Sequence, residues 1–396
     1  MKKTIAIIHH TGDWGGGTKS LLDLCEMLKD EYRVIACVPK GSHKLVYKII
    51  ENGCRAYEMN TVIPFTNLYS GQPPLLSGAT LQSLRSLTYI DLFCSEIESL
   101  KPDVVIFNTI VIAVSARRLP QYIKRICIDR ETMPNKLSAS FYRCVLEKYL
   151  DAITFLSKYE LDKLSFKSCR TAVFPDCVNI NASQINGISE IRKAEKISED
   201  KFVVLYMGGT ARLKGPDVIL EAFSKLDDRF CLLFAGECNK AKFTGRQLIK
   251  CLKYPGELVF RLRMRKLLKN VDNNVVFTGL RDDIKPLILA SDVIVFPATS
   301  VHQPRPCIEA GLYEKPVIIS DYKETSEYFL DGYNAITFKP SDSNSLRSKI
   351  EYCYYHSKEI RRLGKNNRLM TENKHDFNDG KQTICSLIEK VCSGED

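Results

Sequence analysis

The sequence predicts an α/β protein with two Rossmann-like domains, each a parallel sheet with helices on both faces. Three observations lead there. Short, mainly apolar runs such as residues 4–8, 104–107, 152–156 and 293–296 alternate with stretches of helical periodicity, and strands with near-continuous apolar runs are those buried on both faces of a parallel sheet. The alternation breaks at a polar stretch, residues 181–201 (NASQINGISEIRKAEKISEDK), and restarts with FVVLYM. The chain of 396 residues is long enough for two or three domains. The expected division is an N-terminal domain at 1–185, a linker at 186–200, a second domain at 201–375, and a C-terminal helix at 376–396 that packs back toward the first domain. A cleft between two such domains is the default ligand site.

Composition narrows the class. With 44% hydrophobic and 26% charged residues the chain is of ordinary globular type. No apolar run approaches the roughly 18 residues of a membrane span, and the apolar stretch before Asp13 is too short for a secretory signal, so the expected location is the cytoplasm. Fifteen cysteines are scattered, odd in number and without a CxxC pair, a pattern expected of reduced core thiols rather than disulfides or a zinc site.

In chain order, residues 4–8 read as the first strand, followed by a glycine-rich turn and an amphipathic helix from about Thr18. Gly15, Gly16 and Gly17 let backbone N–H groups approach a bound group at a helix start, or simply make a tight turn. The turn is not GxGxxG and the next strand, YRVIACVPK, ends without an acid, which disfavours a dinucleotide site. Strands follow at DVVIF, RICID, AITFL and TAVF, and residues 61–77, rich in Pro, Gly and Ser, read as a surface loop. After the polar stretch come FVVLYM, FCLLFAGE, NVVFTGL, SDVIVFPA, PVIIS and AITF, then helices at 344–370 and 381–391. The most informative unit is residues 291–320. It reads as strand, Pro-rich loop, short helix entered near Pro306 and second strand, with Glu309 placed among apolar neighbours where an acid is uncommon.

The order and spacing of MGGTARLKGPDVILEAF, LLFAGE, VVFTGLRDDIKPLILASDVIVFPA, PRPCIEAGLYEKPVIISD and EYFLDGYNAITF resemble the retaining glycosyltransferases of the GT-B fold, family 4, which include many bacterial cell-envelope enzymes. Weaker pieces in the first half, GGGTKSLLDL, IFNTIVIAVSARRLP, IDRETM, FLSKYE and VFPDCVN, extend the resemblance over nearly the whole chain. It implies two Rossmann-like domains facing each other across a cleft. It also implies a hexosyl-type transferase using a nucleotide-sugar co-substrate, UDP- or GDP-linked, with a glycan or lipid-linked saccharide as acceptor. Capsule or lipopolysaccharide synthesis is the expected setting.

The resemblance also implies residue roles. A leaving diphosphate needs cations and N–H groups aimed at it. Lys214, before Gly215 and Pro216, matches the family's phosphate lysine. An Arg usually found five residues earlier is Gly209 here, with Arg212 the nearest cation. Glu309 matches the second acid of the Glu, seven residues, Glu signature and would accept hydrogen bonds from the ribose; the first acid's place is held by Val301. Lys214, Arg212 and Glu309 are therefore the expected catalytic set. The donor-binding set adds Gly16, Gly17, Gly208, Gly209, Gly236, Glu237, Thr278, Gly279, Leu280, His302, Pro304, Arg305, Pro306, Cys307 and Ile308. Arg281 and Asp283 are expected to be structural, and Glu327 matches a family acid facing the cleft. On the acceptor side stand His10, Asn108, Arg130 and Glu131 at the ends of strands. His9 and His10 both end the first strand, where either reaches the acceptor or one packs into the core. A family His two residues before Arg130 is Ile128 here.

The chain has no DxD motif and no metal-ligand spacing, so no metal or resident cofactor is expected. The net charge is +10, and residues 240–269 hold ten lysines and arginines and a single acid, Glu257. Their helix-like alternation with Leu, Ile, Val and Phe suits an anionic membrane surface, or marks a solvated helix. Few aromatics and no recognition motif accompany it, which excludes nucleic acid as a partner. Two rival functions remain: a sugar-nucleotide epimerase, which needs further acids and histidines near the sugar, and a non-catalytic sugar-nucleotide-binding protein, which the valine at 301 favours.

Overall fold

In the computed structural model the described residues are 2–61, 84–132, 140, 143–180, 187–238, 255–269, 274–301 and 303–394. The chain divides into two compact units, Met1–Asn179 with His375–Asp396, and Ile180–Lys374.

The first unit holds β1 (Thr4–Ile8), β2 (Arg33–Pro39), β3 (Arg55–Met59), β4 (Val104–Phe107), β5 (Lys124–Asp129), β6 (Ala152–Phe155) and β7 (Arg170–Val173). They form a parallel sheet in the order β3-β2-β1-β4-β5-β6-β7. Strand periodicity separates two cores. Ala6, Ile8, Ile35, Val105 and Phe107 face one layer, while Ile5, Ile7, Val34, Val104 and Ile106 face the other. With both faces covered, β4 is apolar end to end and β1 is apolar from Ile5 to Ile8, as expected of parallel strands. The order reverses between β1 and β4, where Ile8 pairs in register with Phe107. The chain leaves these strands at His9 and Asn108, so both residues enter the crevice at a switch point, the favoured ligand position of an open α/β sheet.

The second unit repeats the plan with β8 (Phe202–Tyr206), β9 (Phe230–Ala235), β10 (Val275–Gly279), β11 (Val293–Phe296), β12 (Val317–Ser320) and β13 (Ile336–Phe338), all parallel, in the order β10-β9-β8-β11-β12-β13. Its switch point lies between β8 and β11.

Several expectations change in detail. The first helix spans Gly16–Leu28, so two of the three glycines belong to its first turn. Residues 188–194, read as linker, form a helix (Ile188–Ala194). It docks through a buried arginine rather than an apolar stripe: Arg192 Nη2 pairs with Asp292 Oδ2 at 3.0 Å and Arg192 Nε donates to the Ala290 carbonyl at 3.0 Å. Strand β3 was not anticipated, because at the sheet edge only Met59 of RAYEM is fully buried. The loop expected at 61–77 lies almost wholly outside the described residues, as does the basic segment before Pro255. The final helix, Phe377–Ser393, is capped by Asp376 and packs in the first unit, where Ile384 and Ile388 join the core around Leu21 and Leu24. The described cysteines are all free and most are buried. Among the described residues no helix is long and apolar enough to cross a membrane.

Candidate functional site

In the second unit the loops after β8, β9 and β11 meet through backbone. Gly209 (φ +55) and Gly236 (φ +113) adopt conformations open mainly to glycine, and a Cβ on Gly236 would lie 2.6 Å from Gly209 N. The contact is sealed by Gly209 N–H donating to the Ala235 carbonyl (3.0 Å), Thr210 N–H to the Glu237 carbonyl (3.0 Å) and Gly236 N–H to the Gly279 carbonyl (2.8 Å). Tyr206, fully buried, donates its hydroxyl to the Gly209 carbonyl at 3.1 Å, and Gly208 sits over its ring. Gly208, Gly209, Gly236, Thr278 and Gly279 are thus brought together at the carboxyl edge of this sheet, with Glu237 and Leu280 exposed beside them.

Arg212–Lys214 form a single 3-10 turn leading through Gly215 (φ +67) into the helix Pro216–Phe223. A Cβ on Gly215 would run into the Pro297 carbonyl, and Thr299 N–H donates to the Leu213 carbonyl at 3.0 Å. The Lys214 turn is therefore clamped by the loop after β11. The Lys214 side chain is half-buried and makes no hydrogen bond or ion pair with a described residue, and burial pulls its ammonium below the usual lysine value. A cation held in this state lacks the partner that buried charges require. Arg212 is exposed, and its guanidinium lies over Phe260, 6.0 Å from the ring centroid.

Glu309 lies on the helix Arg305–Gly311 after β11. Arg305 Nε donates to Glu309 Oε1 at 3.0 Å with both side chains largely buried; a carboxylate has about four acceptor positions, so this bond orients Glu309 without exhausting it. Pro304 precedes the helix and Pro306 is in its first turn, whereas Cys307 and Ile308 are buried and offer backbone carbonyls to Asn367 and Thr371. Val301 is half-buried in the same loop, and His302 lies outside the described residues. Arg281 is structural: its Nη2 pairs with Glu195 at 2.8 Å.

The first unit carries a second polar cluster at its own switch point. Asn108 Nδ2 lies 3.2 Å from His9 Nδ1, Arg130 Nε donates to Asn108 Oδ1 at 2.9 Å, and Arg130 Nη1 pairs with Asp176 Oδ1 at 2.8 Å. Ser20 Oγ donates to the same Asp176 oxygen at 2.8 Å, and His375 Nδ1 is 2.8 Å from the Asp176 carbonyl oxygen. Thr109 Oγ1 donates to Glu131 Oε1 at 3.3 Å. Burial raises the Glu131 carboxyl to about 7, opposed by the Thr109 bond and by Arg130, and raises Asp129 well above its usual range. Burial, with His10 and Arg130 nearby, lowers His9 to about 3; burial also lowers His10, against the pull of Asp13. Asn108, Arg130 and Glu131 thus lie together at strand ends, and Gly16 and Gly17 belong to this unit, with Gly17 beside His9. Ser20, Asp176 and His375 escaped sequence reasoning. The signal available was VFPDCVN, whose Asp follows β7 as Asn108 follows β4.

Residues 187–370, nearly all of the second unit, match the family model of glycosyl transferases group 1. No curated protein matches the sequence. Among solved structures, HepE of Anabaena in complex with UDP and glucose is 17% identical over 98% of this chain and 99% of its own, with a TM-score of 0.73. Sucrose-phosphate synthase of Thermosynechococcus elongatus is 17% identical over the whole of both chains, with a TM-score of 0.76. A glycosyltransferase of Rickettsia africae is 18% identical over 98% of each, with a TM-score of 0.71. The two parallel-sheet units have the GT-B fold that these structures share.

Proposed function

We propose that the chain is a glycosyltransferase that binds a nucleotide-sugar, UDP-linked in the first instance, through its second unit and passes the sugar to a saccharide hydroxyl. The observation that carries this reading is Lys214, a half-buried cation with no described partner, on a turn clamped beside the Gly209–Gly236 contact. Such a group stabilises negative charge developing on a departing diphosphate, and Glu309, oriented by Arg305, is suited to accept from ribose hydroxyls. The match to glycosyl transferases group 1 over this unit supports it, as does the fold shared with HepE, solved also with UDP-glucose. In the first unit Glu131, protonated up to about 7, is the acceptor-side carboxyl able to take a hydrogen bond from the attacked hydroxyl once ionised.

Membership of family 4, transfer with retention and without a metal, and a role in envelope polysaccharide synthesis belong to the same proposal, resting on the motif order and the missing DxD. A lipid-linked acceptor and peripheral attachment to the inner face of the membrane are supported by the helix Pro255–Lys269. Phe260 and Met264 point inward, Leu258, Val259 and Leu262 are exposed, and Arg265, Lys266 and Lys269 are exposed near them. Val301 favours a second reading, a protein that binds the nucleotide-sugar without turnover. Thermal stabilisation by UDP, GDP and ADP, followed by transfer assays with the matching sugar nucleotides, tests both. Stabilisation with transfer supports the enzyme, stabilisation without transfer or hydrolysis supports the binder, and no stabilisation by any of the three refutes both.

A further inference from the structure

Two thiols of the first unit meet where the helix Gly16–Leu28 packs on the turn that follows the helix His43–Glu51. Side chains from both sides brace that turn. Asn52 Nδ2 donates to the Leu22 carbonyl at 3.1 Å, and Lys29 Nζ donates to the Asn52 carbonyl at 3.2 Å and to Asn52 Oδ1 at 3.3 Å. Gly53 (φ +82) then closes the helix end, its N–H donating to the Ile50 carbonyl at 2.9 Å and that of Cys54 to the Ile49 carbonyl at 3.1 Å. Cys54 is thereby carried against the neighbouring helix, with its Sγ 3.7 Å from the Cys25 carbonyl oxygen. Both residues are buried, Cys25 completely and Cys54 to 7% exposure.

Cys54 differs from other buried thiols of this chain. Burial is the largest influence on Cys37, Cys127, Cys307 and Cys353, and all four are raised. Thiols in that state withhold the thiolate, which is the reactive form. At Cys54 the direction reverses. A hydrogen bond from the Cys25 side chain lowers it most, against burial, and the charge of Lys29 lowers it further against Glu26 and Asp30. Cys25 is raised, first by its hydrogen bond to Cys54 and then by burial. The pair therefore divides into a thiolate-forming sulfur at the rim and a protonated thiol behind it, the roles of an attacking and a resolving cysteine.

We propose that Cys25 and Cys54 form a redox modification site, at which a small hydroperoxide converts the two thiols to a disulfide. With hydrogen peroxide, the Cys54 thiolate attacks one oxygen. The S–O bond forms, the O–O bond breaks, and the departing hydroxide leaves as water with the proton that Cys54 gave up, so that Cys54 becomes a sulfenic acid. The Cys25 sulfur then displaces the sulfenic hydroxyl, which leaves as a second water with the Cys25 proton. The two sulfurs together lose two electrons, and the peroxide gains them. A hydroperoxide fits this site because a sulfur on a residue only 7% exposed is reached more readily by a small molecule than by a bulky disulfide. The product closes residues 25 to 54 into a ring that holds β2 and the helix His43–Glu51, and it ties the helix Gly16–Leu28 to the start of the edge strand β3. Closing such a ring removes freedom from the unfolded chain, so the oxidised first unit should be the more stable form.

Peptide mapping of the full chain tests this. The folded protein is treated with hydrogen peroxide, its remaining thiols are alkylated, and the digest is read by mass spectrometry. The expected product is a peptide pair linked through Cys25 and Cys54, absent before treatment and lost on reduction with dithiothreitol. The treated protein should melt at a higher temperature than the reduced one, and Cys25→Ser should show no such rise. In Cys25→Ser, Cys54 should stop at a sulfenic acid that dimedone captures, whereas in Cys54→Ser, Cys25 should remain open to alkylation. Exposed Cys144 serves as the internal standard for oxidation. Cys54 still fully alkylated once Cys144 is oxidised overturns the proposal, as does Cys54 paired with any other cysteine, or a link between 25 and 54 that forms only in denaturant. A rise in melting temperature as large in Cys25→Ser as in the parent would overturn the bracing assigned to the link. Should the serine variants fail to fold, the map of the parent protein still decides.

Discussion

Replacing Lys214 with methionine separates binding from folding. Methionine matches the length of the lysine stem, so packing on the 212–214 turn is retained while the charge is removed. In the ligand-free protein the ammonium is half-buried without a described partner and its pKa is lowered by burial alone. A depressed folded value means that the stabilising contribution is present above the unfolded lysine value and lost as pH falls through the folded one. At neutral pH the charged form is therefore a net burden. Lys214→Met should raise ligand-free stability by about 1 kcal/mol, or about 2–4 °C in the melting temperature of a domain of this size. With UDP bound the same change removes a hydrogen bond between charged groups, worth roughly 1.5–3 kcal/mol, so the UDP dissociation constant should rise about tenfold to 150-fold. Thermal melts with and without UDP, with calorimetric titration, read both effects on one sample. A ligand-free variant less stable than the parent, or UDP affinity unchanged, would refute the assignment of Lys214 as a poised phosphate ligand.

Gly236→Ala adds a methyl 2.6 Å from Gly209 N at a φ of +113, and should cost at least about 1–3 kcal/mol and abolish UDP stabilisation. Gly279→Ala at φ +71 meets nothing within 4 Å and should cost only about 1–2 kcal/mol; melting both variants against wild type would expose an error if the order reversed. Glu131 is raised to about 7, so its carboxylate is available only above that value, and kcat/KM for the acceptor should rise through pH 7. Its raised value also means that stability present below the unfolded glutamate value of about 4.5 is lost as pH rises through about 7. Glu131→Gln should flatten both profiles, and a variant that keeps the wild-type pH dependence would assign the titration elsewhere. Val259→Asp with Leu262→Asp, both on the exposed face of the basic helix, should release the protein from anionic vesicles in flotation at moderate salt; equal flotation of variant and parent would show that this face is not the attachment.

The strands were legible because a parallel sheet covered on both faces leaves a simple trace, an apolar run with no alternation. Where that burial fails, so does the trace: β3 is exposed or half-exposed at four of its five residues and left no pattern to see. The helix at 188–194 was hidden for a different reason, since its anchor is the ion pair of Arg192 with Asp292, and composition alone reads a buried arginine as a solvated one. Lys214 and Glu309 are singled out by the order of motifs around them, and the Arg305–Glu309 bond follows from their spacing of four on a helix. The polar cluster of the first unit joins His9, Asn108, Arg130 and Asp176, which no local pattern connects. The rule that ligand groups follow the carboxyl ends of parallel strands singled out Asn108 and Arg130, which do lie at strand ends, yet only the tertiary structure shows that they meet.

The valine at 301 weighs differently once the loop that carries it is seen. That loop is tied to the Lys214 turn by the Thr299 N–H bond to the Leu213 carbonyl, by the Thr299 hydroxyl bond to the Arg212 carbonyl at 3.2 Å, and by the approach of the Pro297 carbonyl to Gly215. None of these uses the side chain at 301. Exchanging an acid for valine there leaves the geometry of the proposed phosphate site unaltered and removes only what a carboxylate would have offered the sugar. On the proposed function, the effect should therefore fall on which sugar is accepted and how fast it is transferred, while nucleotide affinity, assigned in that proposal to Lys214 and Glu309, is kept.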